Sequence, residues 1–139
     1  MSWGYAMSDE LTVLDLFCGA GGLSYGFTLL NNQFQVIAGI DNNERALSTF
    51  YRNHTEAHKT FRKPSDIKKL TGADILHRLE TREINVVVGG PPCQGFSHAG
   101  PRNSSDNRNE LVCDFVLLIG EIRPNAFFME NVPGLIKMK

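Results

Sequence analysis

Three clusters carry residue types that can do chemistry. The run Pro91-Pro92-Cys93-Gln94-Gly95-Phe96-Ser97 presents a thiol in a turn, stiffened at its entry by two prolines and freed at its exit by Gly95. Cys93 is therefore a candidate nucleophile, since burying such a loop as mere structure would strand polar groups. The turn Asp15-Leu16-Phe17-Cys18-Gly19-Ala20-Gly21-Gly22 lets backbone approach a ligand closely, because glycine has no Cβ and tolerates φ > 0. Asp41 follows twenty residues after Gly21, where a carboxylate can accept both hydroxyls of a ribose. Together these two features argue for a ligand containing adenosine; a tight turn with a helix-capping Asp is the structural alternative. Glu130-Asn131-Val132-Pro133 closes an apolar run, so Glu130 is either a solvated loop start or a functional acid. Nearness to Cys93 would favour the acid.

The elements that must position these clusters alternate between strand and helix. Thr12–Leu16, Val36–Ile40, Ile84–Val88 and Ala126–Met129 read as buried strands, with a short third-strand candidate around Phe61. Helical spacing places Leu23, Phe27 and Leu30 on one face, and Ala46, Leu47, Phe50 and Tyr51 on another after Asp41-Asn42. Further helices are predicted over 73–81, with Ile75, Leu76 and Leu79 inward, and from Leu111 to Ile122. A polar loop runs between them from Gly89 to about Asn109, and its charged part from Arg102 reads as a solvated loop or a lid. The pattern is an open α/β sheet, doubly wound and mostly parallel, with five strands. Ligands of such sheets sit outside the carboxyl ends of the strands. Phe17 to Gly22, Asp41-Asn42, Asp66, Pro91 to Ser97 and Glu130-Asn131 all fall at such ends.

Composition sets the limits. The chain has 139 residues, of which 42% are hydrophobic and 21% charged, enough for one domain and too apolar for a disordered chain. The expected organisation is a loose segment 1–10 followed by one catalytic domain over 11–139. No apolar run is long enough to span a bilayer and no secretory signal is visible, so a cytoplasmic location is expected. Three cysteines imply free thiols: Cys18 inside the first turn, Cys113 buried on the apolar face of its helix, and the reactive Cys93. His54, His58, His77 and His98 have no metal-ligand spacing with the cysteines, so no metal is expected, and His54 and His58 read as a solvated loop. The net charge of −1 gives no general basic surplus, so contacts to nucleic-acid phosphates would come from a local patch or from another chain.

The octapeptide at 15–22, Pro-Pro-Cys-Gln at 91–94 and Glu-Asn-Val at 130–132, in that order, resemble the cytosine-C5 DNA methyltransferases. The resemblance runs from about Leu11 to Leu135 and implies a Rossmann-like methyltransferase sheet, truncated after the fifth strand. It makes the turn at Phe17, Gly19 and Gly21 the seat of S-adenosylmethionine. Asp41 would bind the ribose and Asp66 the adenine amine, with Ile67 packed on the ring and Leu111 lining the pocket. Asn42 stands where many members stack a large side chain on adenine. Cys93 and Glu130 become the catalytic pair, and Pro92, Gln94 and Ser97 belong to the loop around the substrate.

The implied substrate is double-stranded DNA with the cytosine turned out of the helix, and the implied context is restriction-modification. The family's later parts, which read the DNA sequence and complete the cofactor site, would come from a C-terminal fragment or a second subunit. Without them the chain is expected to be inactive. The alternatives are a tRNA cytosine methyltransferase, a non-catalytic regulatory subunit, and a nicotinamide-dependent oxidoreductase suggested only by the glycine turn and Asp41.

Overall fold

The computed structural model describes residues 10–30, 33–92 and 110–131. Four strands, β1 (Leu11–Leu16), β2 (Phe34–Ile40), β3 (Val86–Gly89) and β4 (Ala126–Met129), form one sheet in the order β2-β1-β3-β4. Every pairing is parallel. The helices are α1 (Gly22–Thr28), α2 (Glu44–Asn53), α3 (Gly72–Arg78) and α4 (Glu110–Ile122). One buried cluster joins Val13, Val36, Val86 and Val88 to Leu47, Phe50 and Tyr51 of α2. The other joins Leu14, Leu16, Ile40 and Val87 to Ile75 of α3 and to Phe115, Leu118 and Ile122 of α4. Alternation along β1 and β3 thus feeds two cores, one on each face, which is the doubly wound arrangement the pattern predicts.

Local chemistry starts and stops these elements. Asn43, rather than Asp41 or Asn42, caps α2 by accepting the Ala46 amide at 3.0 Å. Thr71 and Asp74 form a reciprocal capping box on α3. The strand expected from Ile84 starts two residues later, because Asn85 is occupied with side-chain bonds. Its Oδ1 accepts from the Thr12 amide at 2.8 Å, and its amide donates to Thr12 Oγ1 at 3.0 Å.

Three expectations need correction. Phe61 is buried, but as the anchor of a 3-10 turn over Lys59–Phe61, so the described sheet has four strands and not five. Leu23 and Leu30 are exposed, whereas Phe27 is half-buried against the core as its spacing predicts, and the fully buried residue of α1 is Ser24. The glycine turn fixes the entry of α1, and the small Ser24 lets the helix lie close. Cys113 is exposed, on the outward side of α4 with Val116 and Leu117, while Phe115, Leu118 and Ile122 face the core. Ile75 and Leu79 are buried and Leu76 half-buried, in line with the pattern. No helix among the described residues is long and apolar enough to cross a membrane.

Gly89 ends β3 where β1 and α4 converge. A Cβ there would sit 2.5 Å from the Leu16 carbonyl oxygen and 2.8 Å from the Phe115 ring. Gly89→Ala should therefore cost about 1–3 kcal/mol of unfolding free energy, the usual penalty of overpacking, measured by urea denaturation. An unchanged midpoint would show that α4 does not rest on β3 as described.

Candidate functional site

The register aligns the ends of the strands. Ile40, Leu16, Gly89 and Met129 pair side by side, so Asp41, Phe17, Gly90 and Glu130 emerge along one edge of the sheet. The chain leaves β1 towards β2 on one side, and β3 lies on the other, so this edge contains the point where strand order reverses. A cleft of about 370 Å³ opens there. Its lining includes Phe17, Gly19, Asp41, Asn42, Asp66, Ile67, Pro92 and Leu111. Eight of the residues singled out from sequence are thus brought into one concavity.

Asp41 organises the cleft. Its Oδ2 accepts the Gly19 amide and its Oδ1 the Asn43 amide, each at 2.8 Å. The glycine turn departs from ordinary backbone, with φ of 56° at Phe17, 52° at Gly19 and 89° at Gly21. A bulky residue in the left-handed region persists only where its surroundings over-determine it. The Cys18 amide donates to the Ile40 carbonyl at 3.2 Å and the Gly21 amide to the Cys18 carbonyl at 2.8 Å, which completes that restraint.

The opposite wall is a second 3-10 turn, Ile67–Lys69, capped by Asp66 Oδ1 on the Lys68 amide at 3.1 Å. Ile67 is buried but reaches the cleft surface, and Asp66 is exposed beside it. Lys68 pairs with Glu110 at 2.5 Å and so ties this turn to the start of α4, next to Leu111. The hydrogen bond to Glu110 raises the Lys68 pKa.

Glu130 does not line the cleft. Its amide donates to the Gly89 carbonyl at 3.0 Å, and its Oε2 lies 3.4 Å from where a Gly90 Cβ would stand. Asn131 Nδ2 donates to the Pro91 carbonyl at 3.3 Å. The Glu-Asn pair therefore flanks the start of the Pro-Pro segment, as expected for parallel neighbours. Cys93, Gln94 and Ser97 lie outside the described residues. Gly21 also stays out of the cleft lining, buried against Phe50 and His54. Cys18 is buried and its thiol pKa is pushed up by that burial, which leaves it poorly suited to nucleophilic work.

A family model for C-5 cytosine-specific DNA methylases matches residues 11–139. The chain belongs to this family. It is 38% identical over 130 residues to the type II methyltransferase M.AgeI of Thalassovita gelatinovora, covering 92% of this chain and 29% of that protein. It is 41% identical over 130 residues to M.XorII of Xanthomonas oryzae pv. oryzae, covering 88% and 28%. Among solved structures, the S. pombe Dnmt2 methyltransferase matches with a TM-score of 0.68 and 26% identity, over 93% of this chain and 38% of that one. The chain thus spans under a third of the length of these two curated relatives. C5 cytosine methyltransferases take their methyl group from S-adenosylmethionine. Among the described residues, no group of His, Cys, Asp or Glu is arranged to hold a metal ion.

Two polar residues of this region were not singled out from sequence. His54, read as part of a solvated loop, is 5% exposed and lies against the glycine turn. Only the absence of a Cβ at Gly21 makes room for it, and no local pattern signals that. Asp15, in the family octapeptide, is 1% exposed, and neither carboxylate oxygen completes a hydrogen bond among the described residues. Burial pushes its pKa up to about 7, against partial relief from the nearby polar groups of Ser24. The folded state therefore holds a proton at Asp15 that the unfolded chain has released. Stability should fall as pH rises from about 4 through 7. Asp15→Asn should remove that dependence and be the more stable protein at pH 8, by on the order of 2–4 kcal/mol. Parallel stability curves for the two proteins from pH 4 to 8 would contradict an unpaired Asp15.

Proposed function

We propose that this chain is the donor-binding and catalytic part of a DNA cytosine-C5 methyltransferase. The observation that carries the reading is the gathering of Phe17, Gly19, Asp41, Asp66, Ile67 and Leu111 around one cleft at the strand-order reversal. Their chemistry fits an adenosine-bearing donor. Each Asp41 oxygen accepts one backbone N–H and keeps a lone pair free for a ribose hydroxyl. Ile67 offers an apolar surface to the adenine ring, and Asp66 an acceptor for its amine. Asn42, exposed at the rim, gives adenine no aromatic partner, which leaves Ile67 as the stacking surface. The glycine turn then faces the methionine end. S-adenosylmethionine, when bound, supplies an electrophilic methyl group on a positively charged sulfur.

Cytosine C5 is too weak a nucleophile to accept that methyl unaided. In our reading the Cys93 thiolate adds to C6, and the displaced electron pair makes the ring an enamine that is nucleophilic at C5. Glu130, hydrogen-bonded to N3 and the exocyclic amine, holds the base and stabilises that electron-rich ring. After C5 has taken the methyl, a base removes the C5 proton and the cysteine leaves as thiolate. The position of Glu130 beside Gly90 and Pro91, at the entry to the Cys93 segment, supports this pairing. Reaching the ring atoms requires the cytosine to be turned out of the duplex.

Methyl transfer, we infer, also needs polypeptide that covers β4, the outermost of the described strands. Phe127 and Phe128, pointing to opposite faces of the sheet, are each 54% exposed, and Val116 and Leu117 continue apolar surface along α4. Apolar area uncovered on both layers of a parallel sheet is unusual, because such sheets are normally enclosed. The much greater length of the curated relatives fits this reading.

Incorporation of labelled methyl groups tests the proposal. With a complementary C-terminal methyltransferase fragment, the chain should label duplex DNA and not tRNA. Cys93→Ser should abolish labelling while leaving donor affinity within about twofold, since the lost thiol touches only the base. Label in tRNA alone would replace the substrate, and activity in Cys93→Ser would remove Cys93 from the chemistry.

A further inference from the structure

A second set of contacts grips the glycine turn, and the cleft does not account for it. At the C-terminal end of α2, Asn53 Nδ2 donates to the Ala20 carbonyl at 3.2 Å. The next residue, His54, places Nε2 at 3.2 Å from Ser24 Oγ, and that hydroxyl donates to the Gly21 carbonyl at 3.3 Å. A serine hydroxyl has one proton to give. With that proton directed at Gly21, the tautomer protonated on Nε2 completes the chain by donating to the Ser24 oxygen. The imidazole also packs on Phe50, with ring centroids 4.5 Å apart. A Cβ at Gly21 would lie 2.8 Å from both His54 Nε2 and Phe50 Cδ2, so the turn is seated on these two side chains. None of Asn53, His54, Gly21 or Ser24 lines the cleft.

The α2 helix thus meets the glycine turn at both ends. Asp41, just before its cap, holds the Gly19 amide, and Asn53 and His54 at its last turn hold the Ala20 carbonyl and the Gly21–Ser24 corner. Ten residues of helix span about 15 Å, so the restraints are well separated along a stiff element. Of the turn's three residues at positive φ, Gly19 and Gly21 adopt it without steric cost, and Phe17 at 56° is the one that its surroundings must hold there.

We propose that Asn53 and His54 are positioning residues for donor binding. They set the backbone of the glycine turn from the side opposite the cleft, so that the turn meets the methionine end of the donor without rearranging. The last clause rests on the reading of the cleft as the S-adenosylmethionine site; the hold on the turn does not.

The test separates the hold from the ligand. Hydrogen exchange on the ligand-free chain would be followed at the amides of Gly19, Ala20 and Gly21. His54→Phe keeps a ring on Phe50 but has no donor, and Asn53→Ala removes the amide. Each should speed exchange in the turn about three- to tenfold, the worth of one hydrogen bond, and leave the β1 and β3 amides unchanged. His54→Gln, with an N–H near the Nε2 position, should return exchange towards wild type. The same variants should lose S-adenosylhomocysteine affinity by a like factor while their affinity for adenosine holds. Unchanged turn amides, or a Gln variant as fast as the Phe variant, would overturn the proposal. So would equal losses for both ligands. Turn amides that respond as expected, in a chain that binds neither ligand even with the complementary C-terminal fragment present, would keep the hold and overturn the donor assignment.

Discussion

The carboxylate of Asp41 is the contact on which the rest of the site depends. It leaves β2 in line with the last residues of β1 and β3, and its two oxygens take one amide each from the glycine turn and from the cap of α2. Those bonds tie a strained turn to a strand end and a helix start that follow it twenty-two residues later. Charge-assisted bonds to backbone N–H groups are among the stronger ones available, and here they act where backbone strain must be restrained. The cleft is the space left when these three pieces are fixed. Its far wall, at Asp66 and Ile67, is joined to α4 through Ile67, which shares a core with Phe115 and Leu118, and through an exposed pair, Lys68 and Glu110, which contributes little energy and chiefly sets direction.

A parallel sheet explains why so few anchors suffice. Alternate side chains of β1 and β3 feed two cores, and the ends of four strands come into register along one edge. Chemistry-bearing residues need only follow a strand directly to reach the same edge. Asp15 shows the cost of that economy. It is a carboxyl group buried one residue before the end of β1, and that burial raises its pKa to about 7.

What was legible in the sequence follows from this geometry. Phe17, Gly19 and Asp41 directly follow strands, and a strand end is easy to read from an apolar run that stops; Asp66, Ile67 and Leu111 come from the family resemblance, and no strand directly precedes Asp66. The side on which a helix residue lies was harder. Leu23, Phe27 and Leu30 have the spacing of an inward face, but the glycine turn fixes the rotation of α1, so that Phe27 packs on the core, Ser24 is buried and both leucines stay outside. Cys113 sits among apolar residues of α4, which are spread so widely around the helix that spacing cannot say which stripe is covered. Phe61 is buried without a strand because a single aromatic anchor suffices for a short turn. His54 was illegible for a different reason: its burial depends on a missing Cβ thirty-three residues earlier, at Gly21. Such non-local accommodation leaves no periodicity to detect.

The most direct test of the central claim is a calorimetric titration of the chain with S-adenosylhomocysteine, with Asp41→Ala alongside. The account predicts saturable binding to one site, weakened at least tenfold in the variant, the loss expected for a charged hydrogen bond of about 1.5–3 kcal/mol. Equal affinity in the two proteins would contradict it, because the ribose would then be held somewhere other than the carboxylate that organises the cleft.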